Sequence, residues 1–300
     1  MVASIKEMKW AITGGSGQLG RSLARVLDDR GFSYISWSKK DLDITEKSAT
    51  KVIEQANPQV LINCAAWTNV DGAEDDFEGA LRVNQIGAQN CAISAKELGI
   101  PLFHISTDYV FSGRANHPWK VTDETHPASK YGLSKLLGEK SITEIFPEQS
   151  RILRTAWLYG PYGKNFAKTI IRKALTTKDQ IKVVNDQKGQ PTSTLDLADQ
   201  IVVSAQTNLK PGVYHATNSG EATWWEFARN LVELSGENSN RVIPVTSDQF
   251  PSKTKRPEYS VLDHSQWHSS GVEPMRSWQQ ALEAMHPEIH EAVESEIANG

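Results

Sequence analysis

Short apolar runs recur through the first half of the chain and alternate with stretches in which apolar positions return every three or four residues. The runs Lys9 to Thr13, Phe32 to Trp37, Val60 to Cys64, Pro101 to Ile105 and Arg151 to Arg154 predict strands. Between them the spacing predicts helices over Glu46 to Ala56, Asp75 to Leu98 and Tyr131 to Phe146, with a further helix opening after Gly17 and running through Ala24 and Leu27. Strands that are apolar throughout and joined by helices are buried on both faces. The pattern therefore predicts an α/β fold with a doubly wound parallel sheet.

After Thr155 the rhythm breaks into shorter elements joined by loops such as Tyr159-Gly-Pro-Tyr-Gly163 and Asp186-Gln-Lys-Gly-Gln-Pro-Thr192. Residues 1–155 are thus expected to form the core, with some later segments returning to it, and 156–300 a smaller mixed α/β region. Trp224-Trp225, followed by Phe227 and Ala228, reads first as helix packing, and the acidic tail from His286 to Gly300 as helical or frayed.

Composition narrows the function. The 300 residues carry a net charge of −4 with no basic block, which gives nucleic acid no electrostatic footing. The start, Met1 to Trp10, is too polar for a signal peptide, and no apolar stretch is long enough to span a bilayer, so a soluble cytoplasmic protein is expected. Cys64 and Cys91 lie in apolar surroundings without His or Cys neighbours at ligand spacing, which suits reduced thiols better than a disulfide or metal site.

The candidate chemistry begins at Thr13-Gly14-Gly15-Ser16-Gly17-Gln18-Leu19-Gly20, a glycine-rich turn between a strand and a helix. There Gly14 permits a tight turn, Gly17 admits a pyrophosphate to backbone N–H groups, and Gly20 allows close packing of helix on strand. The next strand ends in Ser38-Lys39-Lys40, without the acidic residue that takes both ribose hydroxyls in NAD binders. Positive and hydroxyl groups suit a 2′-phosphate, so NADPH is the expected cofactor, with NADH also allowed. Further on, Thr107 ends an apolar strand. Tyr131 stands four residues before Lys135, which places both on one helical face, where a cation can lower the phenol's pKa and make it a proton donor.

Together these features resemble the extended short-chain dehydrogenase/reductases, which have a Rossmann-type fold. Further segments narrow the resemblance to the dTDP-4-dehydrorhamnose reductase family: Asn63-Cys-Ala-Ala-Trp-Thr-Asn-Val-Asp-Gly-Ala-Glu74, Ser106-Thr-Asp-Tyr-Val-Phe-Ser-Gly113, Arg154-Thr-Ala-Trp-Leu-Tyr-Gly160 with Asn165-Phe166, Asp186-Gln-x-Gly-x-Pro-Thr192, Gly212-x-Tyr-His215 and Arg256-Pro-x-x-Ser-x-Leu-Asp263. What it implies is reduction of the C4 ketone of dTDP-4-dehydro-L-rhamnose by a reduced nicotinamide.

In that reading Tyr131 protonates the ketone oxygen, Thr107 hydrogen-bonds it, and Lys135 holds the nicotinamide ribose and favours tyrosinate between turnovers. The resemblance assigns the dinucleotide to Gly14, Ser16, Gly17, Gln18 and Leu19 at the turn, to Ser38, Lys39, Asp43 and Ile44 at the adenosine end, and to Cys64, Ala65, Ala66, Thr68 and Asn84 beyond the third strand. It assigns the nucleotide-sugar substrate to Thr107, Asp108, Tyr109, Trp157, Asn165 and Arg256. Related 4,6-dehydratases carry Asp-Glu after the threonine, a carboxyl pair suited to eliminating water. Tyr109 stands at the second position here, which favours simple reduction. A homodimer and a magnesium ion at a dimer contact are both allowed by the family, and no metal site is assigned. Two alternatives remain open: another nucleotide-sugar reductase or epimerase on the same scaffold, and a non-catalytic subunit similar to the regulatory subunit of methionine adenosyltransferase.

Overall fold

The computed structural model describes residues 8–250 and 252–299; the polar start up to Glu7 and the last residue, Gly300, lie outside them. In chain order the first half comprises β1 (Lys9–Thr13), α1 (Gln18–Asp29), β2 (Ser33–Trp37), α2 (Ser48–Ala56), β3 (Val60–Asn63), α3 (Val70–Asp75), α4 (Phe77–Leu81), α5 (Ala88–Leu98), β4 (Leu102–Thr107), α6 (Lys130–Ile145) and β5 (Ser150–Thr155). There follow β6 (Leu158–Tyr159), α7 (Phe166–Thr176), β7 (Ile181–Val184), β8 (Lys188–Gly189), β9 (Thr192–Ser193), α8 (Thr194–Gln206) and β10 (Gly212–His215). The last elements are β11 (Ala222–Thr223), α9 (Trp224–Leu234), β12 (Val242–Val245), α10 (Ser265–His268) and α11 (Trp278–Ala298).

Six parallel strands form the central sheet in the order β10-β5-β4-β3-β1-β2. The order reverses between β1 and β3, so the loops leaving the carboxyl ends of these strands diverge and open a crevice, the place where α/β sheets bind ligands. Both sheet faces are covered, as strands without a polar face require. On one, Leu19, Leu23, Val26 and Leu27 of α1 and Leu197 and Ile201 of α8 meet Trp10, Ile12, Val60 and Phe103. On the other, residues of α2, α5 and α6 pack on Ala11, Leu61 and Leu102. A second core joins α7, α9 and α11 with β7 and β12. The acidic tail is helical to Ala298, because Ile289 and Val293 are buried in that second core.

The expected helix Asp75 to Leu98 is not continuous. Asn69 caps α3, and Asp76 leaves helical geometry to cap α4 through Gly79 N. Arg82–Gly87 then winds as a π-helical segment before α5 begins. Asn84 sits within it and accepts from Trp67 N at 2.9 Å while donating to Trp67 O at 3.1 Å and Ser134 Oγ at 2.9 Å. Its backbone also lies where only glycine fits across the helix interface, since a Cβ on Gly138 of α6 would stand 2.1 Å from Asn84 O. Binding the loop after β3 and seating α6 this closely requires a local change of winding that periodicity does not encode.

Candidate active site

Gly14 turns the chain out of β1 with φ +69°, and a Cβ there would stand 2.6 Å from Ala65 N, so the first turn and the loop after β3 touch along their backbones. At Gly20 a Cβ would meet Gly14 O at 2.5 Å, which seats α1 directly against the turn. Gly17 caps α1 without any side-chain hydrogen bond, which leaves the helix's first N–H groups and its partial positive charge to an incoming anion. A pyrophosphate fits this cradle. The turn opens into a cavity of about 600 Å³ that extends to Lys39, Asp43 and Ile44 in one direction and to Thr107, Tyr131 and Lys135 in the other.

Helix α6 delivers two of those groups. Ser129 caps it through Gly132 N at 3.1 Å, and Tyr131, Lys135, Glu139 and Ile142 form its buried stripe. The stripe carries chemistry at the cavity end and a buried ion pair behind it: Glu139 accepts from Arg154 Nε at 3.0 Å, from Arg154 Nη2 at 2.7 Å and from Ser106 Oγ at 2.5 Å. Thr107, at the end of β4, donates to Asp108 Oδ1 at 3.0 Å. Burial pushes the Asp108 carboxyl up to about 6, and its Oδ2 is buried without a partner. Tyr109 packs edge-on against Tyr131 with ring centroids 5.5 Å apart.

Lys135 Nζ donates to Ile105 O at 2.6 Å and lies 3.3 Å from His104 Nε2. Burial pushes Tyr131 well above the ordinary tyrosine value, with the neighbouring Thr107 side chain opposing the shift. Lys135 is itself pushed down to about 8 by burial, against the opposing attraction of Glu139.

A second cavity of about 770 Å³ adjoins the first, and Tyr109 and Trp157 line both. Trp157 takes φ +47°, a left-handed conformation that a tryptophan seldom adopts, and its ring stacks on Trp224 with centroids 3.5 Å apart and planes 8° apart. The indole also lies against Gly189, where a Cβ would stand 2.6 Å from it. Phe166 and Phe250 add apolar wall, and Lys173, Lys182, Lys253, Lys255 and Arg256 also line it, Lys253 paired with Asp75, Lys255 with Glu258 and Arg256 with Asp71.

Most residues expected at the site line one cavity or the other, including Gly14, Ser16, Gly17, Gln18, Leu19, Lys39, Asp43, Ile44, Cys64, Ala65, Ala66 and Thr68. Three line neither cavity. Ser38 is engaged with Asp41 through both its N and its Oγ, and Asn84 holds Trp67 and Ser134 as described. Asn165 caps α7 through Lys168 N and donates to Gln18 Oε1 and Gly160 O, so its carboxamide serves the fold. Arg256 is partly exposed but not free: it pairs with Asp71 at 2.9 Å and approaches the Tyr109 hydroxyl at 3.4 Å. Trp224, read from sequence as helix packing, is cavity wall. Its indole spacing on α9 matches packing equally well, and only the strained turn at Trp157, which is distant in sequence, brings the two rings together.

Cys64 is half-buried, Cys91 is buried and both thiols are free. Among the described residues no cluster of three or more His, Cys, Asp or Glu could hold a metal ion, and no helix is long and apolar enough to cross a membrane.

A family model described as the RmlD substrate binding domain matches residues 8–290. A dTDP-4-keto-6-deoxy-D-glucose reductase of Streptomyces niveus is 40% identical over 280 residues, covering 93% of this chain and 96% of its own. A dTDP-4-dehydrorhamnose reductase of Streptomyces griseus is 41% identical over 286 residues, covering 94% of each chain. A dTDP-4-dehydrorhamnose reductase of Bacillus anthracis, solved in complex with NADP, superposes with a TM-score of 0.90 at 37% identity, covering 94% of this chain and 99% of that one.

Proposed function

The chain belongs to the RmlD substrate binding domain family, and on that premise we propose that it reduces the C4 ketone of dTDP-4-dehydro-L-rhamnose to dTDP-L-rhamnose with NADPH. The observation that carries the reading is that Thr107, Tyr131 and Lys135 line the same cavity as the glycine cradle, and that this cavity shares Tyr109 and Trp157 with a second one rich in aromatic rings and lysines. A reduced nicotinamide, when bound, supplies the hydride. The protein's task is to hold the ketone, stabilise its oxygen as charge develops and protonate it.

Tyr131 meets the last requirement. Burial keeps the phenol protonated, and a protonated phenol is the form that donates. Thr107, now donating to Asp108, turns its hydroxyl to the ketone oxygen beside it. Lys135 holds the nicotinamide ribose. At the far end Lys39 lines the adenosine side of the cavity and suits a 2′-phosphate better than an acidic residue would. Residues 156–300 supply most of the second cavity, where the sugar packs on Trp157 and the pyrophosphate faces the lysines. A biosynthetic enzyme of this kind works in the cytoplasm.

The test is oxidation of NADPH, followed by absorbance, on adding dTDP-4-dehydro-L-rhamnose. Oxidation that depends on the sugar is expected, with NADH slower. Oxidation only with dTDP-4-keto-6-deoxy-D-glucose would move the assignment to another keto sugar, and tight NADPH binding without turnover on either would favour the regulatory-subunit alternative. Trp224→Ala should raise KM for the sugar nucleotide roughly tenfold, as the loss of about 1.4 kcal/mol of stacking requires, with kcat little changed. An unchanged KM would place Trp224 outside the substrate site.

A further inference from the structure

Beside Lys135 lies a row of buried polar side chains that the reduction chemistry leaves unused. Thr13, Asn63 and His104 stand at one register across the adjacent strands β1, β3 and β4. Thr13 Oγ1 donates to Asn63 Oδ1 at 2.7 Å, and Ala65 N donates to the same atom at 3.1 Å. These two donors identify the carboxamide oxygen, because a reversed amide would set its own N–H groups against a backbone N–H. Asn63 Nδ2 therefore donates to His104 Nδ1, 3.0 Å away.

An imidazole that accepts at Nδ1 is neutral and carries its proton on Nε2. That N–H lies 3.3 Å from Lys135 Nζ. An ammonium has no lone pair, so it meets the Nε2–H as a second donor, whereas the neutral amine accepts from it. The bond from Nζ to Ile105 O at 2.6 Å is open to either form.

We propose that His104 is a positioning residue: its tautomer, locked by Asn63 and Thr13, disfavours the ammonium form of Lys135 in the cofactor-free protein, and an anionic dinucleotide reverses this by drawing a proton from solvent onto Lys135. Burial acts in the same direction, since it lowers Lys135 and holds His104 far below its usual value and hence neutral. Of the other titratable groups around the row, Glu139 on α6 favours the ammonium but is committed to Arg154 of β5 and to Ser106. Tyr131 on α6, Cys64 after β3 and Cys91 on α5, which approaches Thr13, are all pushed up by burial and stay uncharged. Asp108, beyond β4, bonds to Thr107 and does not contact the row.

The proton uptake rests on the cofactor assignment made above; the tautomer does not. Nitrogen NMR of cofactor-free protein carrying ¹⁵N-histidine is expected to place the His104 proton on Nε2, unchanged between about pH 5 and 9. A proton on Nδ1, or an imidazolium in that range, would overturn the proposal. The ¹³Cε signal of Lys135 is expected to titrate near pH 8. In Asn63→Asp the new carboxylate accepts from Nδ1–H and turns Nε2 into an acceptor for the ammonium, so Lys135 should titrate about one pH unit higher. An unmoved Lys135 titration in that variant would also overturn it. Calorimetry of NADPH binding near pH 8, in buffers of different ionisation enthalpy, should register uptake of a proton. Tight binding without uptake counts against the proposal, whereas absence of binding strikes the cofactor assignment and leaves the NMR results to decide the tautomer.

Discussion

Tyr131→Phe is expected to lower kcat by roughly 10²- to 10⁴-fold while leaving NADPH affinity and thermal stability nearly unchanged. The ring is buried and its edge-on contact with Tyr109 needs no oxygen, so phenylalanine preserves the packing and removes only the donor. Because burial raises the phenol above its ordinary value, Tyr131 should stay protonated to beyond about pH 10, and any alkaline fall in rate below that belongs to another group. Steady-state NADPH oxidation across pH measures both effects. A variant that turns over at the wild-type rate would remove Tyr131 from the proton transfer.

The largest effect on stability is expected at the ion pair behind the site. Arg154 and Glu139 are each 5% exposed in their side chains and joined by two hydrogen bonds, with the guanidinium 5.0 Å from the Phe111 ring centroid. Arg154→Leu strands a buried carboxylate, which costs about 3–5 kcal/mol and should lower Tm by roughly 10 °C. Replacing both partners with leucine should restore most of that loss, because two apolar groups of matching volume leave no charge to desolvate. A double variant as unstable as the single one would show that packing, not charge, is what Arg154 provides. The pair also bears on chemistry, since Glu139 is the attraction that opposes the burial of Lys135.

Local chemistry made much of this protein legible from its residues alone. The parallel sheet follows from apolar runs interrupted by helical spacing, because a strand with no polar face has to be covered on both sides. The glycine turn and the Tyr131–Lys135 spacing are short-range constraints, one steric and one helical, and both lie on the cavity wall as expected. Thr107 lies on the same wall, because a hydroxyl closing a buried strand emerges at its carboxyl end.

Tertiary structure decided what depends on groups distant in sequence. Trp157 meets Trp224 only through a strained backbone turn, Arg256 is paired with Asp71, and Asn84, in a π-helical segment of a predicted helix, binds Trp67. The amino group of Lys135, which shares a helical face with Tyr131, bonds Ile105 O and lies beside His104 of β4. Helical spacing determines which side chains share a face, and that much the sequence settled. Which atom a side chain bonds, and in which protonation state, depends on strand register and on the water excluded when β1, β3, β4 and α6 close together, and those exist only in the assembled fold.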